Sequence, residues 1–190
     1  MATVLLFHHA QGQTPGFLAF ADELRNAGHT VHAPDVFDGQ TFGDLDEGVA
    51  YAQKIGFEVI IARGADAAAD LATDIVYAGF SLGVLPAQSL AQTRPGAKGA
   101  LFYSACLPPS EFGEGWPTGL AAQIHMMEYD PWGEEDLPAA KALVEEAQDA
   151  ELFLYPGSAH LFADPSLNDY DKQAAVLLTQ RTLGFLQRAN

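Results

Sequence analysis

The feature that most restricts the fold of this chain is a regular alternation of short apolar runs with longer segments of helical periodicity. Apolar runs of about four to eight residues between turn signals are typical of buried strands. Strands that alternate with helices favour βαβ units, in which neighbouring strands run parallel. The alternation therefore predicts an α/β protein with a mostly parallel central sheet and helices on both faces. The predicted strands cover residues 3–7, 30–33, 74–78, 98–103, 121–127 and 151–155.

Capping signals indicate where the intervening helices begin. Thr14 precedes Pro15, as an N-cap residue precedes a proline at the first helical position. Asp44 and Glu47 resemble a capping pair. Pro86 is unusual within a helical pattern because it has no N–H to donate. The predicted helices cover residues 15–27, 45–55, 57–72, 82–93, 138–148 and 170–187, and residues 107–120 are predicted to form a long ordered loop.

Composition limits the classes of protein and partner. A chain of 190 residues, 48% hydrophobic and 18% charged, is expected to fold as a single domain over residues 1–190. Nine basic residues against 25 acidic ones give a formal net charge of -16. Nucleic acids and anionic membranes bind proteins through Lys and Arg side chains. Because this chain has few of them and a large negative charge, neither is an expected partner.

The sequence also limits the expected location and ligands. The single cysteine, Cys106, cannot form an internal disulfide, which argues against a disulfide-stabilised secreted protein. The N-terminal apolar run ends at His8 and is too short for a signal peptide or a membrane span. Glycine motifs for nucleotide binding are absent from the sequence. We therefore expect a soluble, acidic, cytoplasmic globular domain that is a monomer or homodimer.

The strongest functional signal is the pentapeptide Gly79-Phe80-Ser81-Leu82-Gly83, which follows a predicted strand and precedes a predicted helix. The pattern G-x-S-x-G in that context is typical of a nucleophile elbow, a sharp strand-to-helix turn that exposes the serine hydroxyl. The helix N-terminus after the turn favours developing negative charge. Ser81 is therefore the predicted nucleophile.

A serine hydroxyl is a weak nucleophile and needs a base, which an acid must orient. In proteins with this elbow the chain order is serine, acid, histidine. Two histidines follow Ser81 in the chain. His125 lies within a predicted strand and is expected to be packed, whereas His160 lies in a loop just past the sixth strand. The predicted base is His160.

The acid is expected in the loop after the fifth predicted strand, which precedes the strand that leads to the base. Asp130 is the preferred candidate, because Pro131 holds it in an extended or turn conformation. It would accept the Nδ1–H of the base and stabilise the imidazolium. Glu128 is the main alternative and Asp136 a more distant one.

Two backbone donors are needed to bind the developing oxyanion. The N–H of Leu82 is one, and the other is expected in the loop after the first strand, at Ala10 or Gln11. The neighbours His8 and His9 point to opposite faces of an extended chain, and no metal-ligand spacing is present, so no metal site is predicted. The residues expected to line the substrate pocket are His9, Phe112, Trp116 and Trp132.

These residues resemble the dienelactone hydrolase family, within the α/β-hydrolases. The similarity covers nearly the whole chain and includes LLFHHAQGQTPGFLAFADELRNAGHTVHAPDVF, DLDEGVAYA, GFSLG, MEYDP and YPGSAH. The resemblance implies an α/β-hydrolase fold without a large cap domain. It also implies a triad of Ser81, Asp130 and His160, and hydrolysis of an ester or lactone without a cofactor.

The sequence departs from the best-known members of that family at two positions. Those members have Cys in the elbow, where this chain has Ser81, and Glu in the oxyanion loop, where this chain has His9. Of the arginines that bind substrate carboxylate in such members, Arg63 is the only nearby counterpart, and a solvated helix charge explains it better. We therefore expect a serine hydrolase of esters, lactones or thioesters that prefers a small uncharged acyl group. The alternatives are a non-catalytic binding or regulatory domain and an acyltransferase.

Overall fold

The computed structural model describes residues 1–189. The strands are β1 (Thr3–Phe7), β2 (Thr30–His32), β3 (Val76–Phe80), β4 (Gly99–Tyr103), β5 (Ala122–Met127) and β6 (Ala150–Tyr155). They form one sheet in the order β2-β1-β3-β4-β5-β6. Every pair of neighbouring strands is parallel, which confirms the predicted parallel sheet.

Within residues 1–189, six α-helices connect or follow the strands. They are α1 (Pro15–Asn26), α2 (Leu45–Ile55), α3 (Phe57–Ala68), α4 (Val84–Thr93), α5 (Leu137–Glu146) and α6 (Lys172–Arg188), and short 3-10 helices cover Ser81–Gly83 and Pro109–Glu111. Thr14 and Asp44 cap α1 and α2 through their side chains, as the sequence predicts. Among residues 1–189, no helix is both long enough and apolar enough to cross a bilayer.

The helices cover both faces of the sheet. Successive residues of β1 point to opposite sides, so Leu5 and Phe7 join one core while Val4 and Leu6 join the other. The first core lies between the sheet and α2 to α5, and the second lies between the sheet and α1 and α6. A parallel sheet needs this cover because its strands are apolar on both faces.

The structure corrects the third strand and the start of the following helix. β3 begins at Val76 rather than Asp74 and continues through Phe80, because its pairing extends to Gly79 with β1 and to Phe80 with β4. A 3-10 turn then precedes α4, whose first turn contains Pro86. The missing N–H of Pro86 costs little there, since the N–H groups of a first turn have no acceptor within the helix. The turn from strand to helix therefore begins at Ser81, directly after the last residue of β3.

Candidate active site

The three residues predicted to act together follow three different strands. Ser81 follows β3, Asp130 follows β5 and His160 follows β6. Because the strands are parallel, the loops after their carboxyl ends meet at one edge of the sheet. The order of strands reverses direction between β1 and β3, and open parallel sheets bind ligands at such a point. Ser81 therefore lies at the border of the expected ligand crevice.

The backbone at Ser81 has the strained conformation of a sharp turn. Its φ is 49°, in the left-handed region that costs a non-glycine residue about 1–2 kcal/mol. Glycine is needed on both sides of the turn, because the surroundings of Gly79 and Gly83 leave no room for a Cβ. A Cβ at Gly79 would collide with the carbonyl of Gly83, and one at Gly83 would lie 2.5 Å from the carbonyl oxygen of Phe7.

The side chains of Ser81, His160 and Asp130 form a continuous hydrogen-bonded chain. Ser81 Oγ lies 2.7 Å from His160 Nε2, and His160 Nδ1 lies 2.6 Å from Asp130 Oδ2. The other Asp130 oxygen accepts the N–H of Trp132 at 2.9 Å. Both His160 and Asp130 are buried. The imidazole can therefore receive the serine proton at Nε2 while the carboxylate holds its Nδ1–H.

Ser104 fixes the backbone of the histidine loop, a contact that the sequence pattern did not indicate. It follows β4 with a left-handed φ of 63°, and its hydroxyl donates to the carbonyl oxygen of His160 at 2.5 Å. Its N–H donates to the carbonyl oxygen of His125 at 2.7 Å. The available signal was its position, since it is a polar residue directly after a buried strand at the same edge of the sheet.

The alternative acids and the alternative histidine lie elsewhere. Glu128 is exposed. Asp136 accepts the N–H of Cys106 at 3.4 Å, and burial raises the pKa of its carboxyl. His125 is fully buried, and its Nδ1 lies 2.8 Å from the Tyr155 hydroxyl. Among residues 1–189, none of the three alternatives hydrogen-bonds to Ser81 or His160 through its side chain.

The hydrogen bonds of the oxyanion loop differ for the two backbone N–H groups, of Ala10 and Gln11, that the sequence left open as donors. The Gln11 N–H donates to Nδ1 of His9 at 3.2 Å. No acceptor for the Ala10 N–H is found within the part of the chain from residue 1 to 189. On the other side, Leu82 lies in the first turn after β3, where N–H groups lack an intrahelical acceptor. Of the two, Ala10 is therefore the better candidate for the second donor.

Two of the predicted pocket residues lie close to the triad positions. The Trp132 ring centre lies 6.2 Å from that of His160, and 45% of Trp132 is exposed. His9 is buried directly after β1, and its Nε2 lies 3.0 Å from a carboxylate oxygen of Asp164. Trp132 can therefore contact a bound molecule, whereas the His9 ring nitrogens already have partners within the protein.

The structure does not bring the other two pocket residues to Ser81. Trp116 packs edge-on against Phe102 within the first core, and its indole N–H donates to the carbonyl of Leu120 at 2.8 Å. Phe112 is half-buried at the end of the second 3-10 helix. The 107–120 segment leads from β4 to the start of β5, and within it Trp116 belongs to the core rather than to the elbow.

Arg63, the counterpart of a substrate-binding arginine, has its partners within the protein. Both terminal nitrogens of Arg63 are engaged, one with the carbonyl of Val36 at 2.6 Å and one with the carboxylate of Asp38 at 2.5 Å. Arg63 therefore braces the loop after β2. In the described part of the chain, no group of three or more His, Cys, Asp or Glu side chains is arranged to hold a metal ion.

Comparison with models of protein families identifies the family of this chain. The model of the dienelactone hydrolase family matches residues 1–190. The chain belongs to the dienelactone hydrolase family. Its membership confirms the predicted resemblance and the expectation of an enzyme that hydrolyses ester bonds. No curated protein has a sequence that matches this one.

Solved structures with the same fold include a phosphotriesterase, an esterase and a lipase. The dienelactone hydrolase-like promiscuous phosphotriesterase P91 from metagenomic libraries has a TM-score of 0.73 and 17% identity, over 100% of this chain and 87% of that chain. Esterase PE8 has a TM-score of 0.67 and 19% identity, over 100% and 93%. A lipase in its open form has a TM-score of 0.70 and 16% identity, over 99% and 90%. At these identities the similarity concerns the fold, which is that of the α/β-hydrolases.

Proposed function

We propose that this member of the dienelactone hydrolase family is a serine hydrolase that cleaves a carboxylic ester, lactone or thioester through an acyl-enzyme on Ser81. The observation that carries the proposal is the hydrogen-bonded chain from Ser81 Oγ through His160 to Asp130, with distances of 2.7 Å and 2.6 Å. A serine, a base and an orienting acid in that order are the requirements for nucleophilic catalysis by a hydroxyl.

The first half of the proposed reaction forms the acyl-enzyme. Ser81 Oγ attacks the carbonyl carbon while His160 Nε2 takes its proton, and Asp130 stabilises the resulting imidazolium. The N–H groups of Leu82 and Ala10 donate to the oxyanion, and loss of one such donor typically costs about 2.7–4 kcal/mol of transition-state stabilisation. Collapse of the tetrahedral intermediate breaks the bond to the leaving oxygen or sulfur, which receives its proton from His160.

The second half repeats the same steps with water. His160 takes a proton from water, whose oxygen attacks the acyl carbon, and the bond to Ser81 Oγ then breaks as His160 returns the proton to that oxygen. The products are a carboxylic acid and an alcohol or thiol. A lactone gives one hydroxy acid instead, because its two products remain joined.

The surroundings favour an uncharged substrate with an apolar group. Trp132 presents an exposed aromatic surface beside His160, and Arg63 is engaged within the protein. The net charge of -16 repels anions from the whole surface. These features differ from the carboxylate-binding arginines of the best-known family members, so a neutral ester, lactone or thioester is the proposed substrate class.

The decisive experiment is covalent labelling with a serine-directed phosphonofluoridate, measured by intact mass. The proposal predicts one adduct on the wild-type protein, none on Ser81→Ala and much slower labelling of His160→Ala. Ser110→Ala is the matched control, because Ser110 is an exposed serine of the second 3-10 helix and should label like the wild type. Equal labelling of Ser81→Ala and the wild type would contradict the proposal, and an unlabelled wild type would favour the non-catalytic alternative.

Substrate class is then measured with p-nitrophenyl esters of increasing acyl length, beside lactones and thioesters. Turnover that disappears in Ser81→Ala supports the proposed reaction. An acyltransferase shares the acyl-enzyme but passes the acyl group to an alcohol or amine faster than to water. The ratio of transfer product to free acid, measured with added acceptors, separates the two activities.

A further inference from the structure

A second histidine–carboxylate pair lies beside the Ser81 site. His9 and Asp164 are both buried, and His9 Nε2 lies 3.0 Å from Asp164 Oδ2. His9 follows β1 in the oxyanion loop, and Asp164 follows His160 by four residues in the loop after β6. The pair therefore joins the loop that contains the proposed oxyanion donor to the loop that contains the proposed base.

The hydrogen bonds of His9 determine where its proton lies. The Gln11 N–H donates to Nδ1 at 3.2 Å, so Nδ1 is an acceptor without a proton. Nε2 then holds the proton and donates it to Asp164. Burial lowers the pKa of His9, although its hydrogen bond to Asp164 acts in the opposite direction. His9 is therefore a neutral imidazole in a single tautomer.

Asp164 is held as a carboxylate by donors from three segments. Burial alone would raise its pKa, but hydrogen bonds from His9, Ser166 and Thr14 outweigh it and lower the pKa to about 2. The Ser166 N–H and hydroxyl donate to Oδ1 at 2.8 and 2.6 Å, and the Thr14 hydroxyl donates to Oδ2. Gly16 packs so closely that a Cβ there would collide with the same carboxylate. The orientation of Asp164 is therefore overdetermined.

The pair acts on the peptide groups next to it. Because the Gln11 N–H points at the His9 ring, the peptide between Ala10 and Gln11 has a fixed rotation. The Gly12 N–H donates to the His9 carbonyl oxygen at 3.0 Å, which closes the turn. These bonds hold the loop in the conformation in which the Ala10 N–H, although buried, has no partner in residues 1–189.

We infer that His9 is a positioning residue, which aims the Ala10 N–H at the oxyanion by accepting the Gln11 N–H, and that Asp164 fixes the tautomer this requires. The inference rests on the proposed ester hydrolysis at Ser81 and names a further residue for it. His9 does not act as the base, because its Nε2 is already occupied by Asp164.

The tautomer is tested without any substrate. Long-range proton–nitrogen NMR spectra of protein with ¹⁵N-labelled histidine, assigned with His9→Asn, should show His9 with the proton on Nε2. In Asp164→Asn, Oδ1 still accepts from Ser166, so the amide NH₂ faces Nε2 and the proton moves to Nδ1, against the Gln11 N–H. A wild-type His9 with the proton on Nδ1 would overturn the inference, whatever reaction the protein catalyses.

The kinetic test separates positioning from support of the fold. Misdirecting an oxyanion donor should reduce the rate less than deleting it. Asp164→Asn should therefore lower kcat by about 10- to 100-fold and leave KM within about twofold. Its affinity for a trifluoromethyl ketone, which forms an oxyanion, should fall by the same factor as kcat. The matched control is Asp171→Asn, since Asp171 caps α6 in the same loop and should leave kcat unchanged.

A second pair of variants keeps the inference testable if Asp164→Asn does not fold. His9→Asn retains an acceptor near the position of Nδ1, whereas His9→Gln retains a donor that can reach Asp164. The inference predicts a higher kcat for His9→Asn, and a simple structural tie between the loops predicts the reverse. Wild-type kcat in Asp164→Asn, or a loss that appears only in KM, would also reject the positioning role while leaving the proposed hydrolysis intact.

Discussion

At the scale of single residues, two buried histidines in this protein have opposite roles. His160 has one nitrogen directed at Ser81 and the other at Asp130, so it is arranged to move a proton. His125 lies inside β5 among aromatic rings, and its Nδ1 meets the Tyr155 hydroxyl. The same side chain type therefore has a proposed catalytic role in a loop and a packing role within a strand.

The strain at Ser81 gives a prediction about stability. Ser81→Gly removes the left-handed strain that Ser81→Ala retains, and both substitutions delete the hydroxyl. Glycine also gains freedom in the unfolded chain, so the net advantage of Ser81→Gly over Ser81→Ala should be about 1 kcal/mol. Urea unfolding of the two variants measures the difference. Equal or lower stability of Ser81→Gly would contradict the prediction, because the strain at φ 49° would then not exceed the entropic cost of glycine in the unfolded chain.

His125 predicts a pH dependence of stability. Burial, with a smaller effect of the Arg181 charge, lowers its pKa to about 3 from the ordinary value of 6.5. Between those values the unfolded chain binds a proton at this residue and the folded protein does not, so the free energy of unfolding should fall as pH falls through that window. Near pH 5.5 the contribution approaches about 1.4 kcal/mol per pH unit.

The check is a comparison with His125→Gln, which cannot titrate. Unfolding measured from pH 7 to 5 should give a steeper pH dependence for the wild type than for the variant. The pKa values of His9 and His29 are also lowered by burial, but both residues remain in the variant, so the difference in slope reports His125. Parallel curves would mean that His125 titrates normally in the folded protein.

At the scale of elements, the position of Ser81 depends on where β3 ends and on how closely the following turn packs against β1. The predicted third strand ended at Ala78, whereas β3 continues to Phe80. Gly79 has a low strand propensity, and only the pairing with β4 through Phe80 extends the strand that far. This longer strand places the turn at Ser81, and small residues on both sides allow the helix to pack directly on the sheet.

The close approach at Gly83 can be tested by adding one methyl group. Its φ of -65° suits any residue, so Gly83→Ala should destabilise only through the carbonyls of Phe7 and His8, at 2.5 and 2.6 Å from the new Cβ. We expect a loss of about 1–3 kcal/mol in the free energy of unfolding. Gly43→Ala is the matched control, because nothing lies within 4 Å of its Cβ position, and it should change stability by less than about 0.5 kcal/mol.

At the scale of the whole molecule, acidic charge is the dominant long-range property. The net charge of -16 produces a negative potential that acts on any charged substrate before contact. The screening length falls from about 30 Å at 0.01 M salt to about 8 Å at 0.15 M. Salt should therefore affect the capture of anionic substrates and leave neutral ones unaffected.

Two esters of similar size measure this effect. For p-nitrophenyl hemisuccinate, kcat/KM should rise by at least about threefold between low and physiological salt, because screening removes the repulsion. For p-nitrophenyl pentanoate, which has no charge on its acyl group, it should stay constant. A rise for both esters would indicate a general effect of salt on the protein, and no rise for the hemisuccinate would show that the potential at the site is not negative.

Local sequence patterns predicted most of the strands, caps and turns, but few of the contacts between distant segments. The strands, the caps at Thr14 and Asp44 and the turn at Ser81 depend on neighbours within a few residues, and they were predicted to within about two positions. Trp116 was expected near Ser81 because both lie in segments with functional signals. Its place in the core depends on how residues 107–120 cross the sheet, which no local pattern encodes.

By itself, the sequence determined the order of strands and helices, the parallel α/β architecture and the family, because apolar periodicity and turn chemistry act over short stretches of chain. The tertiary structure alone decided those contacts between distant side chains that no motif indicates. The chain order of serine, acid and histidine predicted that Ser81 and His160 would meet across 79 positions, whereas no sequence pattern paired His9 with Asp164, 155 positions away. Such contacts follow from the order of the strands in the sheet and the path of each loop, so the partner of His9 and the choice of Ala10 over Gln11 emerged only when the chain was folded.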